Sequence, residues 1–428
     1  MKEKTFVELS RRNLGKLAVA TGATAAVGTG AGYLIGRPAD AAATWKTTGT
    51  AVPALAGFDN QMKAFMQARG VTAGQVAVTY KGRLVLARGY STSTALAVQP
   101  TSLFRIASLS KSFTAAAIVK LVQDGKLSLS TPVANILDIT PASGLTRDSR
   151  WSTITLWKLL QHLGGWDRDV SGDPNFKDAI ISRTLGVPLE LQHADVIKYM
   201  AGQKLDVNPG TKYAYSNFGY LLAGRVIEKV SGLSYENYVK QKLLAPLKIK
   251  RMALGYTIAK HSGETSYDSQ YTGPTVLDMT GKTVAAPYGS FSMRIQDANG
   301  GWIASAPDLV RWAKMFDASS SVLNSTSLGH VWAKPSTGVN ADGWYYGLGW
   351  QIRPVTGGTG RNTWHTGSMP GTYTLLVRTS GGLSWAALVN RRDDTSGKSY
   401  GDIDAAMWTA ANGVKSWPTH DLFPQYFS

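Results

Sequence analysis

Cysteine is absent from this 428-residue chain. That excludes disulfides, thiolate nucleophiles, zinc fingers and cysteine-held iron–sulfur clusters together. Histidine is scarce too: 6 are present, none at metal-ligand spacing from another, so neither a metal nor another cofactor is expected. Charged residues make up 17% against 43% hydrophobic. A disordered or fibrous chain is therefore excluded and a buried core expected. Acidic residues are the sparse sign, 28 against 45 Lys+Arg, for a net charge of +17. The positives are scattered, and the densest groups are Arg11-Arg12, Lys248-Ile249-Lys250-Arg251 and Arg391-Arg392. Such short clusters make no electrostatic track, so no nucleic-acid partner is expected. The excess suits a solvated surface working beside anionic cell-envelope polymers.

Residues 1–41 read as an export signal rather than as part of the fold. Ser10-Arg11-Arg12-Asn13-Leu14-Gly15-Lys16 follows the twin-arginine pattern. Leu17 to Gly36 carries no charge and is rich in Ala, Gly and Thr; Ala39-Asp40-Ala41 then offers a small-x-small cleavage site. The uncharged stretch is long enough to span a bilayer. Its glycines and weak hydrophobicity favour a cleaved signal, leaving no stable membrane span in the mature protein. Proteins using this route fold before export, which fits the missing cysteines. Loss of residues 1–41 removes six basic and three acidic residues and leaves +14. The expected destination is secreted, periplasmic or in the cell envelope.

In the mature chain, Gln75 to Tyr90 alternates about a Lys81-Gly82 turn and predicts a strand pair. Ser108 to Gln123 predicts a helix with Phe113, Ala117 and Leu121 on one apolar face, stopped by Asp124-Gly125. From 126 to 289, helical segments (Leu156–His162, Asp195–Met200, Phe218–Val230, Tyr235–Leu244) alternate with long Gly/Pro/Asp-rich connections. A helix over Asp308–Phe316 precedes strands at Gly349–Pro354, Gly371–Arg378 and Leu383–Asn390, and Asp402–Ala411 closes as a helix. The pattern predicts an α+β chain. Residues 42–125 with 290–428 form a sheet lobe drawn from both ends, and residues 126–289 an inserted, mostly helical lobe, with the site in the cleft between.

For chemistry, the sequence offers no G-x-S-x-G, H-E-x-x-H, P-loop or G-x-G-x-x-G. It does offer Ser108-Leu109-Ser110-Lys111, and Lys111 alone among the lysines has a serine three positions before it. On a helix those residues share a face. A serine hydroxyl needs a base beside it to become a nucleophile, and a lysine in a dry cleft can serve because burial disfavours its charge. A helix N-terminus adds N–H donors for a developing oxyanion.

The segment Phe104-Arg105-Ile106-Ala107-Ser108-Leu109-Ser110-Lys111-Ser112-Phe113-Thr114 resembles the nucleophile region of the serine β-lactamase and penicillin-binding-protein superfamily. Its nearest branch holds class C β-lactamases, D-alanyl-D-alanine carboxypeptidases, D-aminopeptidases and related esterases. Two further motifs of that branch follow in order. Pro209-Gly210-Thr211-Lys212-Tyr213-Ala214-Tyr215-Ser216-Asn217 resembles the Tyr-x-Asn motif and Trp364-His365-Thr366-Gly367-Ser368 the Lys/His-x-Gly motif. Leu160-Gln161-His162-Leu163-Gly164-Gly165 and the run from Asn299-Gly300-Gly301 to Trp312 resemble flanking segments of the family. The resemblance covers about residues 55–412 and implies a β-lactamase/transpeptidase-like fold.

It also implies roles. Ser108 becomes acylated, and Lys111 and Tyr215 share the proton work, with the base between them left open. Asn217 orients Lys111 and the substrate amide. Backbone N–H groups of Ser108 and Ser368 form the oxyanion hole, and His365, Thr366, Gly367 and Ser368 bind substrate, His365 lending positive potential. Where β-lactamases of the branch carry lysine, this chain carries His365, a pattern closer to carboxypeptidases and D-aminopeptidases. A competing Tyr235-Glu236-Asn237 lacks the Pro-Gly turn and reads as structural; His162 reads as a structural hydrogen-bonder. The stretch 166–193 is either a loop over the cleft or a solvent-facing insertion. Trp344 to Trp350 is a candidate pocket wall. The expected function is an exported serine hydrolase forming an acyl-enzyme with a small-molecule or peptide substrate, a D-amino-acid peptide amide or a carboxylic ester. An esterase or transacylase of the same fold, and a non-catalytic envelope-binding protein, are the alternatives.

Overall fold

The computed structural model describes residues 44–92, 96–320 and 322–427. The export signal expected over 1–41 lies outside the described residues. Eight strands form one antiparallel sheet: β1 (Trp45–Thr48), β2 (Ala73–Tyr80), β3 (Arg83–Thr92), β4 (Tyr345–Tyr346), β5 (Gln351–Pro354), β6 (Arg361–Met369), β7 (Thr372–Arg378) and β8 (Leu383–Val389). The spatial order is β1-β3-β2-β8-β7-β6-β5-β4, so β8 from one end of the chain pairs with β2 from the other. The β2–β3 turn places both Lys81 and Gly82 at positive φ, 48° and 76°, the handedness that matches the twist of a two-residue hairpin.

Alternation along the central strands divides the core. Val76, Val78, Leu375, Val377, Trp385 and Val389 pack with helix α1 (Ala56–Gln67) on one face. Smaller Ala73, Ala77 and Ala386 lie on the other, where the helix Ala306–Lys314 packs on β2 and β8. Helix α2 (Ser110–Gln123) is flanked by α3 (Asn217–Ser231), and α4 (Asp402–Asn412) covers α1. The expected single apolar face of α2 is not what forms. Every residue from Ser110 to Val119 is buried, because α3 and the Asp297–Gly300 turn enclose it as well. A helix enclosed on all sides needs no polar stripe.

A small three-stranded sheet, Phe104–Arg105, Trp302–Ala304 and Ala253–Leu254, sits at the entrance to α2. The helix expected over Tyr235–Leu244 is α-helical only to Val239 and continues as a wider turn over Lys240–Leu244. Among the described residues no helix is long and apolar enough to cross a membrane.

Candidate active site

From Leu103 to Val119, Ser108 is the one residue that is not buried. It lies in a single 3-10 turn, Ala107–Leu109, leading into α2. Ala107 has φ 47°, a left-handed conformation costly for a residue with a Cβ and one that persists only where its surroundings impose it. Those surroundings are visible. The Thr372 and Thr374 hydroxyls on β7 donate to the carbonyls of Arg105 (2.8 Å) and Ile106 (2.9 Å). Arg105 is itself fully buried, donating to the Pro287 and Tyr256 carbonyls. The turn that presents Ser108 is thus clamped to the sheet.

Lys111 Nζ lies 3.1 Å from Ser108 Oγ and 2.7 Å from both Asn217 Oδ1 and the Asn299 carbonyl. Burial pushes its pKa well below the usual lysine range; the Asp173 carboxylate opposes this and the Arg168 cation adds to it. Asn217 Oδ1 and a backbone carbonyl can only accept. The ammonium form donates to all three oxygens, whereas a neutral amine that donates to these two acceptors has its lone pair free for the Ser108 hydroxyl.

The second motif closes over this group. Ser216 caps α3, its hydroxyl accepting from Gly219 N–H at 3.1 Å. Asn217 opens the helix, and its Nδ2 donates to Asp173 Oδ2 at 2.6 Å. Tyr215 places its ring 4.8 Å from Lys111 Nζ. Burial raises its pKa, against a smaller lowering by a hydrogen bond with Ser108 and by Arg168, so the phenol keeps its proton. His162 packs its ring 4.3 Å from that of Tyr215, and its Nδ1 accepts from Ser216 N–H. This is the structural hydrogen bonding read for it from sequence. The competing Tyr235 bonds Thr114 and Trp302 inside the core instead.

The third motif lies on β6. Strand β5 pairs with β6 only over Arg361–Trp364, so residues 365–369 have no strand on that side. The Ala107–Leu109 turn lies alongside: a Cβ on Gly367 would collide with the Ile106 carbonyl and the Thr374 hydroxyl, so only glycine permits the approach. Ser368 is exposed; Thr366 is half-buried and shares a side-chain hydrogen bond with Tyr373. His365 departs from expectation. It is 3% exposed, with Nε2 2.8 Å from Tyr346 Oη and Nδ1 2.7 Å from the Thr366 carbonyl. The carbonyl needs Nδ1 to donate, so Nε2 accepts from the phenol. Burial, with Lys111 nearby, pushes the imidazole down to about 3. A neutral ring with both nitrogens engaged lends no positive potential.

Three participants were not found from sequence. Tyr346 lies in the aromatic stretch expected to wall the pocket, but its bond to His365 had no sequence signal. Asp173 and Arg168 come from the 166–193 stretch. Nothing in the sequence set them apart from neighbouring Asp167 and Asp169, because their reach to Asn217 and Tyr215 depends on how the connection folds back. Among the described residues no cluster of potential metal ligands exists. A cavity of about 580 Å3 bordered by Glu190, His193, Glu236 and Asp297 excludes Ser108, and its carboxylates are paired with Arg294, Lys240 and Arg225.

Residues 58–406 match the family model described as Beta-lactamase. "Penicillin-binding protein 4" of Amycolatopsis lactamdurans is 28% identical over 328 residues, 71% of this chain and 75% of that one. "Protein flp" of Staphylococcus aureus (strain MW2) is 27% identical over 223 residues, 51% of this chain and 42% of that one; the chain spans about half the length of such staphylococcal relatives. The structure of a D-amino acid amidase from Ochrobactrum anthropi SV3 superposes with a TM-score of 0.64 at 19% identity, covering 85% of this chain and 99% of that one. This last likeness concerns the fold alone.

Proposed function

The chain belongs to the beta-lactamase family of serine hydrolases, and from that premise we propose that it is an exported acyl-enzyme hydrolase acting on a peptide amide or carboxylic ester. Ser108 is the nucleophile, Lys111 the base and Tyr215 the proton donor. The observation that carries the reading is the Lys111 environment: two acceptor-only partners at 2.7 Å and the Ser108 hydroxyl at 3.1 Å.

The steps follow from these contacts. Ser108 Oγ bonds to the substrate carbonyl carbon as its proton passes to Lys111 Nζ. The unpaired edge of β6 at Ser368 and the N–H of Ser108 face the developing oxyanion. The carbonyl–leaving-group bond breaks as Tyr215 protonates the departing nitrogen or oxygen. Water then attacks the acyl ester and gives one proton to the Lys111–Tyr215 pair, which returns one to Ser108 Oγ as the acyl–oxygen bond breaks and the carboxylic acid leaves. Asn217 holds the Lys111 amine, and His365, neutral and bonded to Tyr346, shapes the site without charging it. Thr366, Gly367 and Ser368 line the substrate strand.

The test is acylation. The protein is incubated with a penicillin and with an activated ester, and intact mass is read. A covalent adduct on the wild type that is absent from Ser108→Ala is expected. Persistence of the adduct in Ser108→Ala would refute the nucleophile. No adduct and no turnover across amides, esters and β-lactams would leave a binding protein of this fold.

A further inference from the structure

Arg168 stands out among the groups around Tyr215. It sits on the short helical turn Arg168–Ser171, five positions before Asp173. That turn is held firmly. Asp167 accepts from Lys212 Nζ at 2.6 Å, its N–H donates to Asp206 Oδ2 at 2.7 Å, and Ser171 Oγ donates to the same oxygen at 2.9 Å. Lys212 is three residues before Tyr215, so one set of contacts fixes both elements. The Arg168 guanidinium lies 4.7 Å from the Tyr215 ring centroid. It is exposed, and among the described residues it makes no ion pair and no side-chain hydrogen bond.

Asp173 and Asp167, the carboxylates that the Arg168 charge acts on, take their hydrogen bonds from other groups. Asp173 accepts from the Asn217 amide, and Asp167 from Lys212. The other cations near the nucleophile are not available to a ligand: Lys111 is buried and committed, and His365 is neutral. Arg168 is thus a planar, permanently charged fork facing solvent over the proton donor of the reaction.

We propose that Arg168 is the anion receptor of this site, binding a carboxylate on the leaving-group side of the scissile bond. The inference rests on the acyl-enzyme reading above, because Tyr215 marks the leaving-group side only if it is the proton donor. It selects among the substrates that reading allows. An amine leaving group carrying a carboxylate is an amino acid, so the enzyme removes a C-terminal residue from a peptide rather than ammonia from an amide. Arg168 acts as a specificity residue, fixing the register of the peptide while Ser108 attacks the preceding carbonyl. It also decides the standing of the 166–193 stretch, which supplies recognition at the site instead of decorating the surface.

The experiment compares wild type, Arg168→Ala and Arg168→Lys on three substrates: a peptide ending in a free D-alanine carboxylate, its C-terminal amide, and an uncharged activated ester. Wild type is expected to prefer the free acid to the amide. In Arg168→Ala, kcat/KM on the free acid should fall about tenfold to a hundredfold more than on the ester, mostly through KM. Arg168→Lys should recover part of that difference. An equal loss on all three substrates would make Arg168 a support for Tyr215 and overturn the proposal. So would Ser108-dependent ester turnover in a wild type indifferent to the carboxylate, with the underlying chemistry intact. Turnover that survives in Ser108→Ala would instead overturn the acyl-enzyme reading itself.

Discussion

Asn217 Nδ2 donates to Asp173 Oδ2 at 2.6 Å, which ties a carboxylate of the 166–193 connection to the residue that holds the Lys111 amine. The bond fixes which end of the Asn217 amide faces Lys111. The charge favours the ammonium form of Lys111 against the burial that disfavours it. Asp173→Asn keeps an acceptor oxygen and removes only the charge. Lys111 should then lose its proton more readily, and the acid limb of the kcat/KM–pH profile should move to lower pH. Arg168→Ala should move it the other way, since that cation opposes the ammonium. The Asp173, Arg168, His162, His365, Tyr215 and Tyr220 groups all face this amine, so both profiles need to be compared with wild type. A limb unmoved in either variant would argue that Lys111 is not the base.

Tyr346 and His365 form a second pair whose disruption is measurable. Tyr346→Phe leaves Nε2 of a buried imidazole without its donor. The expected cost is about 1–3 kcal/mol in urea denaturation, with a fall in kcat because β6 carries the residues beside Ser108. A stability unchanged from wild type would mean that the ring finds another partner.

Gly367 and Gly329 make a contrasting test. Gly367→Ala would drive a methyl into the Ile106 carbonyl and the Thr374 hydroxyl. The expected loss is about 1–3 kcal/mol from overpacking and about a hundredfold in kcat from displacing the nucleophile turn. Gly329 lies inside the helix Ser325–Val331, and a methyl placed on it would meet nothing within 4 Å. Gly329→Ala should therefore stabilise by about 0.5–1 kcal/mol and leave turnover untouched.

Asp178 predicts a pH dependence of stability unconnected with catalysis. It is 3% exposed, its Oδ1 has no hydrogen-bond partner, and burial with help from Glu190 pushes it up to about 7. Well below pH 3.8 the carboxyl is protonated whether the chain is folded or unfolded, and it costs nothing. As pH rises toward 7 the unfolded chain ionises first, and stability is lost. Asp178→Asn should match wild type near pH 3 and exceed it at pH 8 by on the order of 2–4 kcal/mol, read as the difference between their denaturation curves. A constant difference across that range would refute it.

Much of this protein was legible in its residues. Ser108 and Lys111 declare themselves by spacing, since three positions along a helix or tight turn bring two side chains together whatever surrounds them. The hairpin about Lys81-Gly82 and the cap and start of α3 at Ser216-Asn217 are local for the same reason. Resemblance supplied the order of the three motifs and the fold, and residues 58–406 match the corresponding family.

What sequence left open depends on long-range packing. The Lys111 side chain is 106 positions from the Asn217 oxygen and 188 from the Asn299 carbonyl that together take its hydrogens. The proposal of Lys111 as the base rests on that pairing, and no spacing encodes it. His365 was legible as a motif residue but not as a neutral one, because its charge is set by burial and by Tyr346 across the sheet. Arg168 and Asp173 looked like ordinary polar residues of a long connection until that connection folded back on Tyr215 and Asn217. The sequence by itself determined which residue types and local turns are available for the chemistry. Tertiary structure decided their protonation and reach, because those depend on solvent exclusion and on partners brought from distant parts of the chain.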